Sequence, residues 1–364
     1  MGVAEVLVCA ARHPGSQAVD SRAYDGASIR RRRAPAPSAT AGPAVILTWT
    51  IGGMVVSEVN LDDLLKSLDQ AARTELDSTP EVEDWGGSLD VSTLPITARR
   101  WIKVPDIVAV VADLKNSTKL GTGKWAASTA SIYQAGTGGI VDVFNKFGAD
   151  FIQIQGDGAF ALFWGDMRYE RAMCSGITIK TFSVDLVSRL EKKWPTMAET
   201  GFKVGVASGR VLVKRIGTPR NPAEQEPIWA GKPVNYAAKS AQSADRHELI
   251  VTGSVWDKVE PNDYLAISCG CGTGGKPSTG IWSDMTIERL PEDNPEREGR
   301  CLTAAWCKIH GAEYCAAVMA GLKKRSDVGQ ARKELALSQM SNAIRSKASR
   351  ERQDRRARLV GLAR

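Results

Sequence analysis

The sequence has no apolar run long enough to cross a bilayer. Its most apolar early stretch, Ala44 to Val56, carries Thr48, Trp49, Thr50 and two glycines, far short of the roughly 20 residues that a membrane helix needs. No basic segment precedes an apolar one at the start, so a secretory signal is also missing, and the chain reads as cytoplasmic. Seven cysteines, an odd number, argue against a disulfide framework in such a chain. There is no internal repeat. Net positive charge is lacking outside the C-terminal tail. Residues 323–364 hold thirteen Lys/Arg against four Asp/Glu, a net of +9, which leaves −2 for the rest within a whole-chain value of +7. That tail offers the counterion-release chemistry of a nucleic-acid or anionic-lipid binder. It lacks the interleaved aromatics of a single-strand binder and reads as a solvated helix or a loose end. No stable nucleic-acid or membrane partner is expected.

What remains is an ordinary soluble composition, 43% apolar and 24% charged, on a chain long enough to bury a substantial core. Residues 1–53 are rich in Ala, Pro, Gly, Ser and Arg, include Arg30-Arg31-Arg32-Arg33, and read as disordered. Met54 is a candidate start that would make them an extension foreign to the protein. Asn60 caps a predicted helix with Leu61, Leu64, Leu65, Leu68 and Ala72 on one face. Pro80 to Ser88, acidic and Gly-containing, reads as a linker. Strands and helices then alternate. A strand spans 107–112, and a helix spans 129–147 unless Gly136, Gly138 and Gly139 split it. Strands at 151–155 and 159–164 form a hairpin, and a long helix over 169–193 is ended by Pro195. A second hairpin is expected at 203–207 and 211–216 around Ser208-Gly209-Arg210, then a helix at 234–244 and a strand at 248–251. The fold class is α+β with a mixed sheet. The expected organisation is 1–53 extension, 54–103 helix and linker, 104–268 main domain, 269–322 a Cys-containing extension, and 323–364 tail.

Two carboxylates stand out. Asp113 ends the apolar run Val108-Ala109-Val110-Val111-Ala112 and precedes Leu114-Lys115-Asn116-Ser117-Thr118. Asp157 sits in the turn Gln155-Gly156-Asp157-Gly158, whose glycines let the backbone reverse and keep bulk away from a phosphate. Carboxylates delivered from adjacent strand ends can clamp two divalent cations about 4 Å apart for phosphoryl chemistry. A third block follows: Gly205-Val206-Ala207-Ser208-Gly209-Arg210, then Gly231-Lys232-Pro233-Val234-Asn235-Tyr236-Ala237-Ala238-Lys239.

Together, over residues 104–268, these blocks resemble the class III nucleotide cyclase catalytic domain. The resemblance implies attack of a ribose 3′-oxygen on the α-phosphorus of a nucleoside triphosphate, with release of pyrophosphate. It implies two Mg²⁺ or Mn²⁺ ions per site on Asp113, Asp157 and the backbone carbonyl of Leu114, with the triphosphate cradled by residues 114–118 (Leu114, Lys115, Asn116, Ser117, Thr118). Asn235 matches the asparagine that orients the ribose. Lys239 stands where the family often has Arg, one helical turn on, and can act as a point charge without the bidentate fork. Arg210 falls where some members bind pyrophosphate. Each block occurs once, and in this family the halves of a site come from different subunits, so a homodimer with composite sites is implied.

Purine cyclases of the family commonly read the base with a Lys and an Asp; here those positions are Gln153 and Ile228. Gln carries both a donor and an acceptor, which suits uracil or cytosine, and bulk at Trp229 or Tyr236 would favour a small base. The stretches Val110–Thr118 and Thr218–Pro227 resemble the bacterial pyrimidine cyclases of the Pycsar anti-phage systems, which make cyclic UMP or cyclic CMP to activate a separate effector. UTP is the expected substrate. Cyclic CMP synthesis, a purine cyclase with an altered pocket, and a non-catalytic nucleotide-sensing dimer remain as alternatives. Beyond the cyclase blocks lie Cys269-Gly270-Cys271, Cys307-Lys308-Ile309-His310 and Cys315. Four of these could bind a structural Zn²⁺. The other reading is reduced cysteines in a small helical extension around Trp282, Trp306 and Tyr314.

Overall fold

The computed structural model describes residues 59–341 apart from 97–98, together with 50, 51, 54, 55, 344 and 347. The reading of 1–53 as disordered falls almost wholly outside these residues, as does the end of the basic tail. The chain divides into two units, Met1–Pro80 and Glu81–Arg364. In the first, β1 (Thr50–Ile51) and β2 (Met54–Val55) pair antiparallel, and α1 spans Leu61–Leu76. Asn60 caps α1 as expected, its side chain accepting the Asp63 N–H at 3.3 Å. The leucine face of α1 is exposed at Leu61, Leu64, Leu65 and Leu68. No helix among the described residues is long and apolar enough to cross a membrane.

The second unit is built on one nine-stranded mixed sheet. Its strands are β3 (Glu81–Asp84), β4 (Arg100–Leu114), β5 (Phe151–Gln155), β6 (Gly158–Phe163), β7 (Phe202–Gly217), β8 (Gln225–Gly231), β9 (Glu248–Val251), β10 (Trp282–Thr286) and β11 (Glu298–Leu302). The order β10-β11-β9-β7-β4-β6-β5 puts β4 and β7 at the centre, with β3 added beside β4 and β8 beside β7. Only β3 with β4 and β7 with β9 are parallel among the pairs of this sheet. This is the α+β class expected.

Side-chain alternation along β4 divides the core. Val108, Val110, Ala112 and Leu114 face one cluster with α2 (Ala126–Lys146) and α3 (Arg168–Lys193). Ile107 and Ala109 face another, with Tyr236 and Ala237 of α4 (Lys232–Ser243). The shorter helices α5 (Gly253–Val259), α6 (Asp263–Ala266) and α7 (Gly311–Met319) follow.

Three local expectations are corrected, and the helix at α2, left open at its glycines, is found. Helix α2 runs unbroken through its glycines, because they serve packing: a Cβ on Gly139 would stand 2.6 Å from the Phe182 ring of α3. Ser208-Gly209-Arg210 is no hairpin turn. β7 continues through it, and the irregularity is taken up opposite, where the β4 register shifts between Val104 and Ile107. The acidic stretch read as a linker contains β3, held by Glu83–Arg100 and Asp84–Lys103 ion pairs at 2.9 and 2.5 Å. The start of the basic tail is also not free. Arg325 is buried, its guanidinium donating to the carbonyls of Ile267 and Ser268 at 2.9 and 3.1 Å, and Val328 and Ala331 enter the core.

Candidate active site

The turn between β5 and β6 sits against the end of β4. Ala159 pairs with Ala112, and Gly158 lies so close that a Cβ there would stand 2.4 Å from the Ala112 carbonyl oxygen. Only glycine permits that approach. It brings Asp157, half-buried, to the strand end that carries Asp113. Gly156 takes the left-handed conformation, φ 64°, that the reversal requires.

Asp113 has a partner that sequence reasoning missed. Lys203, opposite it on β7, places its Nζ 2.7 Å from the Asp113 carboxylate. Tyr133 of α2 is a second missed neighbour: burial pushes its phenol up, and the Asp157 charge adds to the shift. No motif marks either residue, because a cross-strand register and a helix docking place them.

After Asp113 the chain leaves the sheet through Asn116, φ 56°, into a single 3₁₀ turn over Ser117–Lys119. Such a turn leaves the leading N–H groups without an intrahelical acceptor. The side chains of the predicted cradle are partly committed elsewhere. Lys115 Nζ bridges Glu199 at 3.1 Å and Asp245 at 2.5 Å, and these carboxylates, Asp245 foremost, hold its pKa above the ordinary range. Asn116 Nδ2 donates to the Glu199 carbonyl at 2.9 Å. Leu114 is buried, while Thr118 is exposed.

The remaining residues lie on α4, β5, β7 and β8. Asn235 and Lys239, both half-buried, lie one turn apart on α4. The helix starts beside Gly209, whose Cβ position is 3.4 Å from Pro233. Gly209 pairs with Ile107, six positions from Asp113 along β4. From this far end of β7 the helix runs back over Gly205, which pairs with Val111, two positions from Asp113. Arg210 is exposed on β7 at that same far end. Gln153 and Ile228 lie near one ring contact: Phe151 of β5 packs on Trp229 of β8 at 5.1 Å. Trp229 also meets Trp164 at 5.6 Å. Tyr236 is buried, and its hydroxyl accepts from Asn294 Nδ2 at 2.5 Å. Both aromatics thus belong to the core.

Asp113 and Asp157 fit a pair of divalent cations in donor chemistry, being carboxylates with solvent access. Of the cysteine set, Cys269, Cys271, Cys307 and His310 converge, whereas Cys315 turns to the thiol of Cys174 on α3.

No protein-family model matches the sequence. A uridylate cyclase from Micromonospora echinofusca is 56% identical over 308 residues, 84% of this chain and 100% of that protein. A uridylate cyclase from Propioniciclava tarda is 50% identical over 294 residues, 80% of this chain and 94% of that protein. Among solved structures, the adenylyl cyclase CyaB from P. aeruginosa is 13% identical with a TM-score of 0.45, covering 56% of this chain and 96% of that one. Identity of this extent over nearly the whole length of these relatives makes the chain a member of the uridylate cyclase family.

Proposed function

We propose that the protein is a homodimeric pyrimidine cyclase that converts UTP to 3′,5′-cyclic UMP and pyrophosphate. The observation that carries the chemistry is the seating of the Asp157 turn on β4 beside Asp113. Asp113, Asp157 and the Leu114 carbonyl would hold two Mg²⁺ or Mn²⁺ ions; when bound, these acidify the 3′-hydroxyl and neutralise the triphosphate. The N–H groups of 116–118 receive phosphate oxygens. Asn235 orients the ribose so that its 3′-oxygen lines up with the α-phosphorus, and Lys239 balances charge that builds there. Arg210 binds the departing pyrophosphate.

The single occurrence of each block, with the family resemblance, supports a composite site, with the carboxylates from one subunit and Asn235 and Lys239 from the other. Two features support the base: Gln153 and Ile228 replace the purine-reading charges, and the relatives named above are uridylate cyclases. A site that pairs one base edge rejects others through unpaired buried groups. The resemblance to the Pycsar cyclases adds the expectation of a cytoplasmic second messenger in anti-phage defence, acting on a separate effector.

The test incubates the pure protein with each of the four nucleoside triphosphates and Mn²⁺ and identifies products by mass. Cyclic UMP should dominate; faster turnover of ATP or GTP refutes the base reading and leaves the cyclase reading intact. Mixing Asp113→Ala and Asn235→Ala chains should restore part of the activity. Mixed dimers that form and stay inactive rule out the composite site.

A further inference from the structure

Three thiols and one imidazole outside the nucleotide machinery meet beside the start of α7. The Sγ atoms of Cys269, Cys271 and Cys307 and a ring nitrogen of His310 all lie within 4.8 Å of one another. Cys271 Sγ is 3.3 Å from His310 Nδ1. Around a tetrahedral Zn²⁺, with Zn–S about 2.3 Å and Zn–N about 2.0 Å, such atoms sit roughly 3.5–3.8 Å apart. The observed cluster needs only small side-chain rotations to close on an ion. Among the described residues it is the one group of this kind.

Both arms of the cluster are built to hold position. Gly270 turns the chain between the first two cysteines at φ 84°, and a Cβ there would stand 2.7 Å from the Lys276 carbonyl carbon. Ser268 Oγ accepts the Ser278 N–H at 2.9 Å, which closes the loop behind Cys269. Arg325 clamps the carbonyls of Ile267 and Ser268 from the tail side. On the other arm, Trp306 fixes the residue before Cys307: its backbone N–H donates to Thr181 Oγ1 and its indole N–H to Thr178 Oγ1, both at 3.0 Å on α3. The Ile309 N–H points to Cys307 Sγ at 3.4 Å, the kind of outer hydrogen bond that steadies a ligating thiolate.

We propose that Cys269, Cys271, Cys307 and His310 form a structural zinc site. The ligand set is complete without an open position, so the site binds rather than catalyses. Binding releases the three thiol protons to solvent and leaves a Cys₃His site of net charge −1. The ion would tie the Gly- and Ser-rich loop before β10 to the segment entering α7. Between these two ligand pairs lie β10 and β11, the outer strands at one side of the sheet. Zinc would thus pin both ends of the sheet's last two strands. Cys315 is excluded, because its thiol faces Cys174.

The experiment purifies the full chain under reducing conditions, exchanges it into metal-free buffer by gel filtration, and counts zinc per chain by mass spectrometry of the elements. About one zinc per chain is expected in the unmodified protein and in Cys315→Ser, with a loss of at least roughly tenfold in Cys307→Ser and in His310→Ala. Cobalt exchanged into the site should show thiolate charge-transfer and tetrahedral ligand-field bands. A soluble, folded protein with neither bound zinc nor uptake on zinc titration overturns the proposal. So does loss of zinc in Cys315→Ser, or an intact mass showing a disulfide among the three cysteines. The count is read without any nucleotide, so it stands whichever triphosphate the enzyme uses.

Discussion

Replacing Gly205 with alanine tests how α4 is held over the sheet. Gly205 lies in β7 directly under α4, where a Cβ would stand 2.0 Å from the Ala237 carbonyl oxygen and 2.4 Å from the Ala241 nitrogen. Both atoms are helix backbone, so no side-chain rotation relieves the clash. Reaching ordinary contact at 3.4 Å requires the helix to retreat by about 1.4 Å. Overpacking of this sort costs about 1–3 kcal/mol, a fall in melting temperature of roughly 2–12 °C for a unit of this size. The functional effect should be larger. The helix carries Asn235 and Lys239, and a misplacement of about 1 Å at a positioning group costs on the order of 100-fold in rate. Gly205→Ala should therefore melt cooperatively while kcat, at saturating UTP and Mn²⁺, falls about 100-fold. Gly121→Ala is the control: its Cβ would meet only Thr129 atoms at 3.7 Å or beyond, and stability should shift by no more than about 0.5 kcal/mol. If Gly205→Ala keeps its melting temperature and turns over within about twofold of the parent, α4 is not seated as described or does not position the ribose.

Asp113→Ala should abolish turnover at matched metal while shifting stability by under about 1 kcal/mol, since its carboxylate is 40% exposed and ion pairs there are weak; persistent activity would remove it from the metal site. Lys203→Met takes away the cation that now occupies Asp113, so half-maximal Mn²⁺ in a turnover titration should fall several-fold on electrostatic grounds, and an unchanged or higher value would show that Lys203 does not compete with metal. Burial holds the His247 imidazole below its ordinary value of 6.5, so as pH falls through about 6.5 the unfolded chain takes up the proton first and stability is lost. His247→Asn, which tolerates the φ of 62° found there, should reduce the difference in melting temperature between about pH 7.5 and about pH 5.5, and an equal difference would point to other groups. Asp263 is buried and bonds Arg332 and the Arg325 N–H. Asp263→Ala should cost about 3–5 kcal/mol in denaturant unfolding, and a loss below about 1 kcal/mol would mean the tail is not anchored there.

Much of the fold was legible where local chemistry and tertiary structure agree. The Gly-Asp-Gly turn with apolar runs on both sides specifies a hairpin, and β5 and β6 form one. The long helix stopped by Pro195 is α3, and Asn60 caps α1. Legibility failed where a signal has two physical causes. Ser208-Gly209-Arg210 has turn composition, but β7 is paired on both sides beyond it, with β4 and with β8. Those ladders keep the strand straight through the glycine. The glycines of α2 look like breakers, yet Gly139 is a contact point for Phe182 and Gly136 for Phe202. The acidic stretch at Glu81 looks like a linker until the basic strand beside it is known, since the ion pairs that fix β3 join residues on different strands.

The site divides along the same line. Asp113, Asp157 and Asn235 sit in local motifs that can be read one at a time. Lys203 and Tyr133 reach the carboxylates only through strand register and helix docking, so no spacing announces them. The cysteines make the point from the other side. Spacing offers five ligands for four places, and Cys315 follows His310 closely enough to compete. What separates them is that α7 turns Cys315 toward α3, where Cys174 lies, while Trp306 anchors Cys307 toward the loop of Cys269 and Cys271. The long gap between Cys271 and Cys307 weakens a zinc reading from sequence, yet that gap is the two strands β10 and β11. An antiparallel pair returns the chain close to where it left, so a distance that looks prohibitive along the sequence becomes the device that brings the two halves of the cluster together.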